Sequence, residues 1–174
     1  YDLGYLDTVL EGAYRPGHFQ GVCQVMNRLL KTVQPNLLYM GQKDYQQCMV
    51  VKRLLQISQL PIDLVTCPTV REKDGLAMSS RNKRLNISQR QKAVGIYYAL
   101  MHIQGNILPG SLKSLKRKAM ALLEQYEFNI DYVEIADAVS LEIVEEWDGK
   151  QKLVALVAAY QDEVRLIDNM LILP

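Results

Sequence analysis

An α/β architecture, followed by a small α+β unit with antiparallel strands, is the fold class this sequence predicts. Three observations lead there. Helical and strand-like apolar patterns alternate through residues 18–67, the signature of right-handed crossovers and a parallel sheet. After about residue 70 the pattern changes to two helices followed by three strand segments with a tight return. The first part also holds only two strand segments, fewer than a parallel sheet needs to bury itself.

Residues 1–12 are short and mixed, with Leu3, Leu6, Val9 and Leu10 spaced for one or two helical turns. Glu11 to Gly21 holds three glycines and a proline and reads as a loop. Val22, Val25, Met26, Leu29, Leu30 and Val33 then form a helical stripe. Pro35 ends it, because Gln34 before a proline is pushed out of helical geometry. Leu37 to Met40 reads as a buried parallel strand, and Gly41-Gln42-Lys43 as a tight turn. Asp44 and Gln47 then make a capping-box pattern for a helix carrying Cys48, Val51, Leu54 and Leu55. Leu60 and Pro61 break that helix, and Ile62 to Cys67 is the second buried strand.

Pro68 to Asn82 is a polar loop. Beyond it, Ser88 and Gln91 form a capping-box pattern for a helix to Gln104, with Val94, Tyr97, Tyr98 and Met101 on one side. Ser111 caps a further helix carrying Leu112, Leu115, Ala119, Leu122, Leu123 and Tyr126. Asp131 to Ala136 alternates like a strand, and Leu153 to Tyr160 is a strongly apolar one. Gln161-Asp162-Glu163 turns into a return strand, Val164 to Ile167. The expected domains are therefore residues 1–69 and 70–174.

The totals limit the function. Of 174 residues, 49% are hydrophobic, which supports a packed core. The net charge of +1 supplies no broad basic field for nucleic acid or anionic membrane. Cys23, Cys48 and Cys67 lie far apart in apolar contexts, as in a reduced, cytoplasmic protein. No apolar run approaches the roughly 20 residues of a membrane span.

Two stretches carry candidate chemistry. Gly41-Gln42-Lys43-Asp44 joins a strand to a helix start, where free N–H groups attract anions and Lys43 adds a charge. Gln47, one turn on, either reaches back to the helix start or presents its amide to a polar substrate. Met78-Ser79-Ser80-Arg81 follows the second strand, where α/β proteins place ligands. Its hydroxyls and charged fork suit phosphate. Each stretch also has a plain reading as turn, cap and surface charge. His18 reads as a loop-holding residue and His102 as a packed one. Glu142, Glu145, Glu146 and Asp148 read as a solvated face. No His/Cys ligand cluster is visible, so no metal site is expected.

Three motifs in order support a resemblance. They are Arg15-Pro16-Gly17-His18-Phe19-Gln20-Gly21-Val22, Gly41-Gln42-Lys43-Asp44-Tyr45-Gln46-Gln47 and Asp74-Gly75-Leu76-Ala77-Met78-Ser79-Ser80-Arg81-Asn82. Together with Ala158-Ala159-Tyr160 and Arg165-Leu166-Ile167-Asp168-Asn169, they resemble the pantoate–β-alanine ligase family, over essentially the whole chain. That resemblance implies the C-terminal part of a Rossmann-like nucleotidyltransferase sheet, then the small α+β domain. It implies ATP contacts at Gly41, Gln42, Lys43, Asp44, Val70, Met78, Ser79, Ser80 and Arg81, and pantoate bound by Gln47. Lys43, Ser79, Ser80 and Arg81 would stabilise charge on the phosphates, with Mg²⁺ carried on ATP. The implied reaction joins pantoate to β-alanine through a pantoyl adenylate, in a homodimer acting on small molecules.

The family's upstream His-x-Gly-His motif and a substrate-holding Gln are absent. The chain is therefore expected to be a C-terminal portion with little activity alone, prone to self-associate through exposed sheet edges. A relative with another acceptor, and a non-catalytic nucleotide-binding or assembly module, are the alternatives.

Overall fold

The computed structural model describes residues 1–172. They form two compact units, Tyr1–Thr69 and Val70 onward. In chain order the elements are α1 (Glu11–Tyr14), α2 (His18–Val33), β1 (Leu37–Gly41), α3 (Tyr45–Ile57) and β2 (Asp63–Cys67) in the first unit. The second holds α4 (Ile87–Ala93), α5 (Gly95–Asn106), β3 (Gly110–Ser111), α6 (Lys113–Gln125), β4 (Asn129–Asp137), β5 (Glu146–Trp147), β6 (Leu153–Gln161) and β7 (Val164–Ile172). No helix among the described residues is long and apolar enough to cross a membrane.

In the first unit β1 and β2 pair in parallel from Leu37 opposite Asp63 to Gly41 opposite Cys67. They make a two-stranded sheet. Neither strand is buried, contrary to the apolar reading of both: Tyr39 stays 63% exposed. With only one neighbour each, the strands lack the layers that would cover both faces.

The stripe on α2 is buried only in part, at Leu30 and at the margins of Val22 and Met26. Phe19, Cys23 and Leu30 are buried, while Val25 and Leu29 are 66% and 50% exposed. The small core joins Leu3, Phe19 and Cys23 to Val50 and Leu54 of α3, with Val22 and Met26 packed at its margin. Residues 11–21 are more helical than their glycines suggest, since α1 occupies Glu11–Tyr14 and α2 starts at His18. At the other end of α2, Gln34 leaves the helix in a left-handed conformation (φ +50°) before Pro35.

The second unit is a three-stranded antiparallel sheet of order β4-β6-β7. Its central strand is the uninterrupted run Leu153–Gln161, buried on both faces. Leu153, Ala155, Val157 and Ala159 share one core with Ile96, Ala99, Leu100 and Ile103 of α5 and Ala119 and Leu123 of α6. The return strand is longer than its apolar run, because β7 pairs along the whole of β6 up to Ile172.

Three local expectations fail here for physical reasons. The capping box forms at Asn86 and Gln89, not at Ser88 and Gln91: the Asn86 side chain accepts from the Gln89 N–H at 2.9 Å and the Gln89 side chain from the Asn86 N–H at 2.8 Å. The same pattern thus occurs two residues earlier. The helix is interrupted at Val94, and the buried side of α5 is Ile96, Ala99, Leu100 and Ile103, leaving Tyr98 and Met101 over 40% exposed. Ser111 caps nothing; it pairs with Glu146 in a two-residue ladder between β3 and β5.

The acidic stretch is also not simply solvated. Glu145, with Glu134, holds Lys116 at 2.8 and 2.9 Å. Burial works against the Lys116 charge, but the two carboxylates outweigh it and raise its pKa.

Cys48 gives a measurable handle on the first unit. Its thiol donates to the Gly41 carbonyl at 3.5 Å. Burial, then the nearby Asp44 charge, pushes the thiol up from 9.0 to about 11. The fold therefore favours the neutral thiol. The stability this contributes is full below pH 9.0 and is lost as pH rises towards about 11. At pH 8, iodoacetamide is expected to modify half-buried Cys67 well before buried Cys48 and Cys23. Peptide mapping at timed quenches checks this, and equal rates at Cys48 and Cys67 would contradict it.

Candidate functional site

Each unit holds candidate residues of its own, built by its own local logic. In the first unit, β1 ends at Gly41 in extended conformation (φ −73°, ψ 131°). The chain turns at once through a 3-10 turn, Gln42–Asp44, into α3. This strand-to-helix junction puts the leading amides of a helix at the strand's carboxyl end, the arrangement that attracts anions. A Cβ added at Gly41 would meet nothing within 4 Å, so the backbone there is open to approach.

The expected Asp44 cap does not form, since Asp44 makes no side-chain capping bond at α3. The 3-10 turn takes up the geometry that a cap would have needed.

Gln47 lines an open groove of about 660 Å³, together with Pro16, Gly17, His18, Gly21, Val22, Val25 and Met26. From the α2 stripe, Val22 and Met26 wall it at the margin of the core and Val25 from its exposed side. His18 opens α2, its N–H donating to the Arg15 carbonyl at 3.0 Å and its ring lying 5.1 Å from that of Phe19. Arg15 pairs with buried Glu11 at 3.6 Å.

The residue that holds this half in shape is one that the motifs alone do not single out. Gln46 is 3% exposed. Its side chain accepts from the Glu11 N–H at 3.0 Å and donates to the Leu6 and Val9 carbonyls at 2.8 and 2.9 Å. It thereby fastens α3 to the turn at Leu10, whose φ is +47°. The available signal was periodicity: Gln46 lies four and eight residues before Val50 and Leu54, on the buried face.

In the second unit, residues 70–78 form a tight hairpin. The Met78 N–H donates to the Val70 carbonyl at 2.9 Å, and the Glu72 N–H to the Leu76 carbonyl at 2.8 Å. Arg71 and Ala77 make an antiparallel bridge. Val70 and Met78, eight residues apart in sequence, are thereby neighbours, and both are exposed. Asp74 accepts two hydrogen bonds from Arg90, at 2.7 and 3.2 Å, and these hold its carboxyl below the usual range.

After the hairpin, Ser79 caps a 3-10 turn, Ser80–Arg84. Its Oγ accepts from the Arg81 N–H at 3.2 Å. The Arg81 guanidinium donates to the Arg165 carbonyl of β7 at 3.4 Å. Two hydroxyls and a guanidinium thus gather on one short segment. Also unforeseen was Arg71, which meets buried Asp168 at 2.6 Å.

Each half offers donors for oxyanions, which can position and stabilise phosphate or carboxylate charge. Among the described residues no three His, Cys, Asp or Glu side chains group so as to hold a metal ion, so no metal ligand is assigned.

Comparison with known proteins agrees on one family. The sequence model described as pantoate-beta-alanine ligase matches residues 2–171. A pantothenate synthetase of Cytophaga hutchinsonii is 41% identical over 175 residues, covering 99% of this chain and 62% of that protein. One of Moorella thermoacetica is 43% identical, covering 96% and 59%. Among solved structures, pantothenate synthetase from Thermus thermophilus superposes with a TM-score of 0.88 at 41% identity, covering 98% of this chain and 62% of that one. Pantoate-beta-alanine ligase from Francisella tularensis, complexed with beta-gamma ATP and beta-alanine, gives 0.71 at 32% identity over 95% and 55%. The chain thus spans about three fifths of the length of these relatives.

Proposed function

Because this chain belongs to the pantoate-beta-alanine ligase family, we propose that it supplies the C-terminal portion of an ATP-dependent ligase making pantothenate. One observation carries the proposal. Gln47 lines an apolar groove one helical turn from the open Gly41–Asp44 junction, so a small branched hydroxy acid and a nucleotide phosphate can be held side by side. Val22, Val25 and Met26 suit the methyl groups of pantoate, and the Gln47 amide suits its oxygens. Gly41, Gln42, Lys43 and Asp44 receive ATP. In the second unit, Val70, Met78, Ser79, Ser80 and Arg81 are the residues proposed to bind nucleotide.

A carboxylate oxygen of pantoate attacks the α-phosphorus, forming pantoyl adenylate and expelling pyrophosphate. The β-alanine amine then attacks the acyl carbon, loses a proton, and AMP leaves with the electrons of the acyl–oxygen bond. Lys43, Ser79, Ser80 and Arg81 stabilise the charge that builds on the phosphates. Mg²⁺ arrives on ATP, without ligands from this chain. A cytoplasmic location, a homodimer of the full-length enzyme, no nucleic-acid or membrane partner, and little activity for this portion alone belong to the same reading.

The test mixes this chain with a polypeptide supplying the remaining N-terminal portion of the Cytophaga relative. AMP formation should require both pantoate and β-alanine. Lys43→Met should lower its rate about 100-fold or more, as for the loss of one transition-state charge donor. Gln47→Ala should raise KM for pantoate and leave KM for ATP unchanged. AMP formation with another carboxylate and none with pantoate would overturn the proposal, as would full activity in Lys43→Met.

A further inference from the structure

We infer that Arg71 is a positioning residue for the Met78–Arg81 segment, strapping it to β7 through the buried carboxylate of Asp168. The inference rests on the proposed nucleotide role of that segment. The guanidinium reaches Asp168 through two bonds, 2.6 and 3.1 Å. It also donates to the Gly75 carbonyl at 3.0 Å and the Asn169 carbonyl at 3.3 Å. Its carbon stands 4.9 Å from the centre of the Tyr97 ring. One side chain thus ties the tip of the hairpin to β7 and to α5. The Asp168 side chain is 2% exposed. A carboxylate so buried needs its cation, and only a planar fork can serve both of its oxygens together with two carbonyls.

The other end of the segment is tied to the same strand, where Arg81 donates to the Arg165 carbonyl. Arg165 and Asp168 are three residues apart, roughly 10 Å along an extended strand. Ser79 and Ser80 therefore lie between two anchors on β7, an edge strand paired with β6 along its whole length. Loops that order their phosphate donors before the ligand arrives avoid that ordering cost during reaction. That role falls to the Arg71 anchor, which lies seven residues upstream of Met78.

The test is hydrogen exchange on this chain with Arg71→Lys, which keeps the charge and removes the fork. Amides of residues 75–84 should exchange at least about 10-fold faster, with β4, β6 and β7 changed less than twofold. Asp168→Asn should give the same pattern, and the double variant should add little. Unchanged exchange at 75–84 would overturn the inference, and so would equal acceleration across the three strands, which marks a merely structural residue. In the reconstituted mixture Arg71→Lys should lower kcat about 100-fold, as displaced catalytic groups do, with KM for pantoate unchanged. An unchanged kcat would overturn it. If the wild-type mixture forms no AMP, the proposed function fails, while the exchange experiment still decides the role of Arg71.

Discussion

Replacing Gln46 with leucine is expected to lower the stability of the first unit by roughly 3–5 kcal/mol, the sum for three backbone groups losing their partners. Leucine fits the space of the amide but offers nothing to the Glu11 N–H or to the Leu6 and Val9 carbonyls. The Glu11 N–H is the most costly of the three, because that bond is fully buried. A urea titration should show an earlier transition, and amides of residues 6–15 should lose exchange protection first. The groove should loosen as a consequence, since Pro16, Gly17 and His18 follow directly from this anchored turn. An unchanged urea midpoint would mean that water already serves these groups and that Gln46 is dispensable.

Gly75→Ala is expected to have a comparable effect in the second unit. Gly75 has φ +95°, a conformation that costs any residue with a Cβ. Its Cβ would also lie 2.2 and 2.3 Å from Cδ1 and Cε1 of Tyr97, so the ring or the hairpin must move. Either movement disturbs Arg71, which contacts both the Gly75 carbonyl and the Tyr97 ring. A loss of about 2–3 kcal/mol corresponds to a drop in Tm of roughly 10–20 °C for a unit of this size. The cause can be checked in the Tyr97→Leu background, where the alanine should cost much less. If the cost is the same there, backbone conformation alone explains the effect and the overlap with the ring does not.

How much could be read from the chain differs between elements in an instructive way. The alternation of residues 18–67 and the hairpin after Leu153 were legible because each reflects contacts between neighbours in sequence. The expected α/β class and the family are the ones found. The side of α2 that is buried was not legible. Its valines and leucines form the most regular stripe in the chain, yet within it Leu30 is buried while Val25 and Leu29 are exposed, and Phe19 and Cys23 from outside it join the core. Periodicity locates an apolar face; it does not say which partner is present to cover it. Capping failed for a related reason. Asp44, Ser88 and Ser111 all stand at helix-start patterns, but caps depend on backbone angles, and competing turns at Gln42–Asp44 and Asn86 prevailed.

Within the candidate site, the motifs located the strand-to-helix junction at Gly41 and the segment at Met78, since both are continuous stretches whose chemistry shows in their composition. The adjacency of Val70 and Met78, the grip of Gln46 on residues 6–11 and the tie from Arg71 to Asp168 were decided only in three dimensions. The last of these joins residues 97 apart. Local propensities and short motifs are properties of a few consecutive residues. A buried amide or guanidinium acquires its meaning only when folding removes water and leaves distant groups as its sole partners.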